Sequence, residues 1–188
     1  MKILITGGNG FIGRNIIKSL DQDYDIYSPS RSDLDFTDEK QVEKYLRNKF
    51  FDIVIHCAVK GGRRTIQDSA FTVQDNLKMF FNLMNNRNKF DRFIHFSSGA
   101  DFDKTKNINH NNHNLEENYP IQPYDMSKNI ISRILKNNPR CYNFRIYGVF
   151  GIDEAKDRFI VSNIERYKNN DPIEIHKNRY WDFFYIKD

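Results

Sequence analysis

The chain has 188 residues, of which 39% are hydrophobic and 29% charged, with a formal net charge of +4. This composition is typical of one globular domain with a sizeable core, and it excludes a disordered chain. No apolar run approaches the roughly 20 residues that cross a bilayer, and the first residues lack the pattern of a signal peptide. We therefore predict a cytoplasmic protein that binds no membrane. Its mild, dispersed charge predicts no nucleic-acid partner either.

The cysteines and histidines do not form a metal-site pattern. Cys57 and Cys141 have neither disulfide nor metal-ligand spacing. His110 and His113 lie in a polar, asparagine-rich loop without companion cysteines or carboxylates. We predict no metal.

Strand and helix patterns alternate along the whole chain. In order, we predict a strand over 2–6, a helix over 11–20, a strand over 24–30, a helix over 38–49 capped by Asp38, a strand over 51–59, a helix over 71–89, a strand over 91–98, a helix over 123–138 and a strand over 141–151. The near-continuous apolar run at 51–59 is typical of a parallel sheet covered on both faces. The alternation predicts an α/β fold with a doubly wound parallel sheet, a Rossmann fold.

The first strand runs into a glycine-rich turn, TGGNGFIG at 6–13. The glycines fit either Gly-x-Gly-x-x-Gly from Gly8 or Gly-x-x-Gly-x-x-Gly from Gly7. Because the first N–H groups of a helix have no internal partners, they form an anion site. Gly10 allows the backbone to approach a pyrophosphate, and Gly13 allows the helix to pack closely on the strand. A strand before the turn and a helix after it predict a dinucleotide site.

The residues after the second strand bear on the choice of dinucleotide. Ser30 and Arg31 stand where NAD-binding proteins usually carry an acid. The planar guanidinium of Arg31 suits the 2′-phosphate of NADP, although a solvent-facing arginine is equally compatible with the sequence. The alternative is NAD, with Asp33 or Asp35 reaching the ribose. We favour NADP.

Two further signals suggest oxidoreductase chemistry. Tyr124 and Lys128 are four residues apart on a predicted helix and therefore share a face. An ammonium beside a phenol favours the phenolate, which suits proton exchange with a substrate oxygen near neutral pH. Ser97 and Ser98 end a predicted strand, where ligands bind in open α/β sheets.

Taken together, the motifs resemble those of the extended short-chain dehydrogenase/reductase family, in the NAD-dependent epimerase/dehydratase group that acts on nucleotide sugars. The resemblance covers nearly the whole chain and rests on TGGNGFIG, DLDFTD (33–38), FDIVIHCA (51–58), Asn76, FIHFSS (93–98), PYDMSK (123–128), FRIYGVFG (144–151) and WDFFYIKD (181–188). Within the family, SRSDLDFTD and CAVKGG are similar to GDP-fucose synthases. Phe102 and Asp103 are more similar to dTDP-4-dehydrorhamnose reductases.

The resemblance implies roles for individual residues. Tyr124 would be the catalytic acid/base, Lys128 would bind the nicotinamide ribose and tune Tyr124, and Ser98 would bind the reacting sugar oxygen, with Ser97 as the fallback. The residues implied to contact the cofactor, besides Tyr124 and Lys128, are Gly7, Asn9, Gly10, Phe11, Ile12, Gly13, Arg31, Asp35, Phe36, Ala58, Lys60 and Asn76. Of these, Asn9 to Ile12 would wrap the pyrophosphate, and Asp35 and Phe36 would contact adenine.

Departures from the family pattern narrow the implied reaction. Gly99 and Ala100 stand where 4,6-dehydratases carry an Asp-Glu pair, so dehydration is not expected. Ala100 and a position near Asp153 replace the cysteine and histidine of double epimerisation. The resemblance therefore implies NADPH-dependent reduction of a nucleotide-linked keto-sugar. A 4-epimerase with retained NAD and a non-catalytic dinucleotide-binding protein stay open as alternatives.

The resemblance also implies a domain organisation and an assembly. We expect an NAD(P)-binding domain over 1–151, followed over 152–188 by the start of a substrate-binding lobe that is incomplete, since family members continue beyond DFFYIKD. We also expect a homodimer through the helices at 71–89 and 123–138. Their apolar residues would serve either that interface or the core: Met79, Phe80, Leu83, Ile130, Ile131 and Ile134.

Overall fold

A computed structural model of the chain describes residues 1–63, 66–103, 114–116, 119–175, 177–178 and 182–188. It divides into two units, Met1–Arg145 and Ile146–Asp188. Among the described residues, no helix is long and apolar enough to cross a membrane. The same residues contain no group of three potential metal ligands, and His110 and His113 lie outside them.

The first unit alternates strands and helices, as predicted. Its elements are β1 (Lys2–Thr6), α1 (Phe11–Leu20), β2 (Asp25–Tyr27), α2 (Glu39–Leu46), β3 (Phe51–His56), α3 (Ala70–Met84), β4 (Phe90–Ser98), α4 (Pro123–Leu135) and β5 (Cys141–Ile146). Asp38 caps α2 as expected, since its carboxylate accepts the N–H of Gln41 at 3.1 Å.

The five strands form one sheet in the order β2-β1-β3-β4-β5. The pairs β1–β2, β1–β3 and β3–β4 are parallel, with Thr6 opposite His56 and His56 opposite His95. The chain moves outward from β1 to β2 and then returns to β3 on the other side of β1. This reversal creates a switch point at the carboxyl ends of β1 and β3, where ligands bind in doubly wound sheets.

Both faces of the sheet are covered by helices. Because side chains alternate along a strand, Ile3 and Ile5 point to one face and pack with residues of α1, whereas Leu4 points to the other. On that second face α2, α3 and α4 close a larger core, which includes Val42, Leu46, Phe80, Leu83, Ile131 and Leu135. The doubly wound Rossmann fold predicted from the sequence is confirmed.

Several elements are shorter than predicted, for local reasons. The second strand stops at Tyr27 for two reasons. The Ser28 hydroxyl donates a hydrogen bond to the Ile5 carbonyl at 3.0 Å, and Pro29 has no N–H to donate to the sheet. The helix predicted to reach residue 89 ends at Met84, where two asparagines follow. Asparagine side chains compete with the helical hydrogen bonds of the backbone, so a run of them favours an end.

The second unit is small and open. It contains β6 (Val149–Phe150), α5 (Phe159–Lys168) and β7 (Phe184–Tyr185), and β6 pairs with β7 in parallel. Neither α5 nor β7 was predicted from the sequence. Among the described residues of this unit only Gly151 is buried. Apolar side chains of the unit are exposed, namely Ile152, Ile164, Tyr167, Ile173, Ile175, Phe183 and Phe184.

Candidate active site

The glycine turn connects β1 to α1 at the switch point of the sheet. Gly7 has φ = 69°, and a methyl group on it would lie 2.6 Å from the N atom of Ala58, so this position requires glycine on both counts. A methyl group on Gly13 would overlap the Gly7 carbonyl. The turn therefore brings Gly7, Gly13 and Ala58 together, as the sequence analysis expected of a close helix–strand approach.

The amino terminus of α1 presents main-chain N–H groups that could hold a pyrophosphate. Gly10 is its cap residue and contributes no capping side chain. The N–H groups of Phe11, Ile12 and Gly13, in the first turn, have no partner within the helix by its geometry. Asn9 is exposed beside them. Unpaired N–H groups and the positive end of a helix dipole suit the negative charge of a dinucleotide.

The loop after β2 carries the residues expected at the adenosine end. The Arg31 side chain is 71% exposed, and its guanidinium lies 3.7 Å from the Asp35 carboxylate. Hydrogen bonds from Thr37 lower the pKa of Asp35. The Phe36 side chain lies in the core instead, and its main-chain carbonyl accepts the Asn82 amide at 2.9 Å. Any contact of Phe36 with adenine therefore involves the backbone.

Asn76, on α3, connects the loop after β3 to α4 through hydrogen bonds. Its amide accepts the Lys60 N–H at 2.8 Å and donates to the Lys60 carbonyl at 3.0 Å. The same amide donates to the Ser127 hydroxyl on α4 at 3.0 Å. The Lys60 ammonium forms an ion pair with Asp75 on α3. Asn76 is thus buried and structural in this arrangement, and it fixes the backbone of Lys60 against α3 and α4.

Tyr124 and Lys128 share one face of α4, as their spacing predicts. The Lys128 ammonium lies 5.8 Å from the centre of the Tyr124 ring. It donates to the Phe96 carbonyl at 2.6 Å and lies 3.5 Å from His95 Nε2. Because β4 is parallel to β3 and β1, this pair lies at the same edge of the sheet as the glycine turn.

The surroundings of Lys128 are nearly free of solvent. Burial lowers its pKa to about 8, so the side chain is mostly cationic at neutral pH. Two buried histidines on neighbouring strands, His56 and His95, stack at 5.4 Å between ring centres. Burial and the charge of Lys128 lower the pKa of both, that of His56 to about 3, so both rings are neutral. Because both histidines are neutral, the positive charge in this cluster is that of Lys128.

The two serines at the end of β4 differ in orientation. The Ser97 hydroxyl is buried and donates to the Asp101 carboxylate. The Ser98 hydroxyl is partly exposed and accepts the N–H of Ala100 at 3.2 Å. Of the two candidates, Ser98 is the one whose hydroxyl accepts a hydrogen bond there, whereas the Ser97 hydroxyl donates to a buried carboxylate.

Gly62 is a site residue that the sequence analysis missed. It has φ = 72°, and a methyl group on it would lie 2.9 Å from two carbons of the Tyr124 ring. Its N–H points to the Asp68 carboxylate at 3.2 Å. The backbone of this glycine therefore forms one wall against the phenol. Two successive glycines after a strand were the available signal, but their contact with residue 124 depends on the fold.

Comparison with known proteins gives a consistent family. A model of the NAD dependent epimerase/dehydratase family matches residues 3–188. GDP-L-fucose synthase of Azorhizobium caulinodans is 37% identical over 86 residues, which cover 44% of this chain and 28% of that protein. The aligned region therefore covers well under half of the length of that curated relative.

Solved structures show the same architecture. A dTDP-4-dehydrorhamnose reductase from Clostridium acetobutylicum superposes with a TM-score of 0.74 at 26% identity, covering 90% of this chain and 60% of the other. A GDP-L-fucose synthetase from Naegleria fowleri, bound to NADP, gives a TM-score of 0.76 at 16% identity, covering 98% of this chain and 64% of the other. At this identity the second likeness concerns the fold alone.

Proposed function

Because the chain belongs to the NAD dependent epimerase/dehydratase family, we propose that it reduces a nucleotide-linked keto-sugar with NADPH. The observation that carries the proposal is the Tyr124–Lys128 pair on α4, at the same sheet edge as the glycine turn. The names of the relatives, a fucose synthase and a dehydrorhamnose reductase, support a nucleotide sugar as substrate.

The dinucleotide would lie across the switch point. In this proposal the N–H groups at the start of α1 hold the pyrophosphate, and the loop 58–62 lines the cleft with Ala58 and Lys60. Asp35 and the backbone of Phe36 lie toward adenine. Lys128, which lies 5.8 Å from the centre of the Tyr124 ring, would hold the nicotinamide ribose.

The reaction needs one hydride and one proton. A bound nicotinamide cofactor supplies the hydride to the carbonyl carbon of the sugar. The Tyr124 hydroxyl donates its proton to the carbonyl oxygen, which becomes the alcohol, and the phenolate is then reprotonated from solvent. Lys128 stabilises that phenolate by its charge, and Ser98 donates a hydrogen bond to the same oxygen.

Arg31 provides a test of the choice between NADPH and NADH. Arg31→Ala should raise the Kd of NADPH about 10- to 100-fold, because charge-assisted hydrogen bonds to a phosphate contribute about 1.5–3 kcal/mol. The Kd of NADH should change less than about twofold, since NADH lacks the 2′-phosphate. Both constants are measured by fluorescence titration of the reduced cofactors. Arg47→Ala, which removes an exposed arginine at the end of α2, is the matched control. Equal effects of Arg31→Ala on the two cofactors would contradict the NADP assignment.

The reaction type is decided by a panel of keto-sugar nucleotides with GDP and dTDP carriers. Reduction consumes NADPH and removes its near-ultraviolet absorbance, with one reduced sugar formed per cofactor. An isomerised sugar without net use of cofactor would indicate the 4-epimerase alternative. Cofactor binding without turnover of any substrate would indicate the non-catalytic binding protein.

Gly62 provides a test of how the phenol is positioned. Gly62→Ala should lower kcat about 100-fold, because the added methyl displaces the Tyr124 ring and small misplacements in a site have effects of that order. The matched control is Gly61→Ala. Gly61 has φ = 82°, so this variant carries the same kind of backbone strain, but its methyl meets Asp68 and Thr72. Steady-state kinetics and melting temperatures separate the two effects. Equal loss of kcat in both variants would assign the loss to strain alone.

We propose a homodimer as well, with a revised interface. Met79, Phe80, Leu83 and Ile131 belong to the core and are not available to a partner. Phe71 and Phe81 on α3 are exposed and Ile130 on α4 is partly buried, and we propose that these three contribute to the interface. Sedimentation equilibrium distinguishes this dimer from a monomer.

A further inference from the structure

The buried carboxylate of Asp101 takes no part in the proposed transfer of hydride and proton. Asp101 is fully buried in a single 3₁₀ turn, Gly99–Asp101, that directly follows β4. Its carboxylate accepts the hydroxyls of Ser97 and Ser132, the latter at 2.9 Å, and the Arg145 Nε–H at 3.1 Å. A buried charge with three donors is costly to assemble, and it is stable only because each donor is in place.

These contacts join three elements around the end of β4. Ser132 belongs to α4 and Arg145 to β5. The Asn129 amide, also on α4, donates to the Asp101 main-chain carbonyl at 2.8 Å. The Arg145 guanidinium in addition lies 4.5 Å from the centre of the Phe102 ring. The turn after β4 is therefore held from α4 and from β5 at once.

Three successive residues of β4 connect this cluster with the proposed active site. The Phe96 carbonyl accepts the Lys128 ammonium, the Ser97 hydroxyl donates to Asp101, and the Ser98 hydroxyl accepts the Ala100 N–H. Side chains alternate along a strand, so the Ser97 side chain lies on the face covered by α4, where it contacts Ser132, and the Ser98 side chain lies on the opposite face. The bond from Ser97 thus anchors the strand between the Phe96 carbonyl, which accepts the Lys128 ammonium, and Ser98.

We propose that Asp101 is a positioning residue, which through Ser97 fixes the end of β4 and so holds both the Lys128 ammonium and the Ser98 hydroxyl in place. This inference rests on the proposed function for its effect on turnover. Its effect on Lys128 does not depend on any substrate.

Asp101 also acts on the charge of Lys128. The titratable groups around the lysine are His56 and Cys57 on and after β3, His95 on β4, Tyr124 on α4 and Asp101 in the turn. Both histidines are neutral, and burial raises the pKa of the Cys57 thiol, which keeps it protonated. Burial lowers the pKa of Lys128, whereas the Asp101 carboxylate raises it. Burial raises the pKa of Asp101 itself, and Ser97 and Arg145 oppose that effect.

The first measurement follows the amine of Lys128 in the free protein. Its pKa is determined by NMR of lysine labelled at Cε and Nζ, with Lys128→Arg to assign the signal. Asp101→Asn should lower this pKa below its wild-type value, since the carboxylate charge is removed and the shape is kept. An unchanged pKa would overturn the inference. If no keto-sugar is reduced by the wild type, the proposed function fails, and the pKa alone decides the role of Asp101.

The second measurement follows turnover and tests whether Asp101 acts through Ser97. Ser97→Ala should lower kcat about tenfold, the effect expected of one lost hydrogen bond, with the Kd of NADPH within about twofold of wild type. The double variant Ser97→Ala/Asp101→Asn should have a kcat no lower than that of the slower single variant, because both substitutions break the same contact between Ser97 and Asp101. Additive losses would contradict the connection. Asp101→Asn removes the negative charge that pairs with Arg145. Where that variant does not fold, Ser97→Ala alone decides, and an unchanged kcat overturns the inference. Ser162→Ala removes a comparable hydroxyl bond in α5 and is the control.

Discussion

Replacing Tyr124 with phenylalanine is expected to lower kcat for keto-sugar reduction by about 10²- to 10⁴-fold, the range that a positioned general acid contributes. The ring still fills the space beside Gly62, since only the hydroxyl is removed. The charge of Lys128, 5.8 Å from the ring centre, is also retained. NADPH should therefore bind with a Kd within about twofold of wild type. Single-turnover kinetics and fluorescence titration measure the two quantities separately.

Tyr142→Phe is the matched control for this substitution. Tyr142 lies on β5 with an exposed ring, and the same atom is removed there. Its kcat should equal that of the wild type. If Tyr124→Phe also retains wild-type turnover, Tyr124 is not the proton donor and the proposed chemistry is incorrect.

Acidification from pH 6.5 to 4.5 is expected to reduce the free energy of unfolding steeply, because of His56 and His95. Burial lowers the pKa of both, to about 3 for His56, whereas in the unfolded chain they titrate at their usual value of about 6.5. Below pH 6.5 the unfolded state binds protons that the folded state does not, so stability falls as the pH falls. Each histidine contributes at most about 1.4 kcal/mol per pH unit in this window.

Two substitutions isolate this effect. His56→Asn retains a polar atom near Nδ1, which lies 2.8 Å from the Thr6 hydroxyl, and His95→Gln retains one near Nε2, which faces Lys128. Each variant should lose about half of the histidine contribution to the slope of unfolding free energy against pH. Urea unfolding at several pH values gives the slopes. Carboxylates titrate in all three proteins and cancel in the comparison. Parallel curves for wild type and variants would show that the histidines are not protonated on unfolding.

The parts of the site that the sequence predicted are those fixed by local geometry. The glycine turn lies between β1 and α1 because a strand, a tight turn and a helix follow each other within 20 residues. Tyr124 and Lys128 share a face of α4 because residues four apart on any helix do so. The alternation of strands and helices likewise predicted the doubly wound sheet.

Sequence patterns did not predict the contacts between residues that are far apart along the chain. Nothing in the spacing of Gly62 and Tyr124 indicates that a backbone 62 positions earlier packs on that ring. The stack of His56 on His95 requires the register of β3 against β4. The bonds of Asp101 come from β4, α4 and β5 together.

The apolar patterns also did not decide whether several residues lie in the core or at an interface with a partner. Periodicity identifies the apolar face of a helix, but it does not say whether a core or a partner covers that face. Met79, Phe80, Leu83 and Ile131 turned out to lie in the core. The Phe36 side chain, expected beside adenine, lies there too, since the loop after β2 folds it beneath α2 and α3.

The central claim is that a dinucleotide spans the glycine turn and presents its nicotinamide to Tyr124 and Lys128. A crystal structure of the protein with NADPH tests it most directly. We expect the pyrophosphate within hydrogen-bond distance of the N–H groups of Phe11 and Ile12, and the nicotinamide ribose on the Lys128 ammonium. A dinucleotide bound elsewhere, or one whose nicotinamide points away from Tyr124, would contradict the claim.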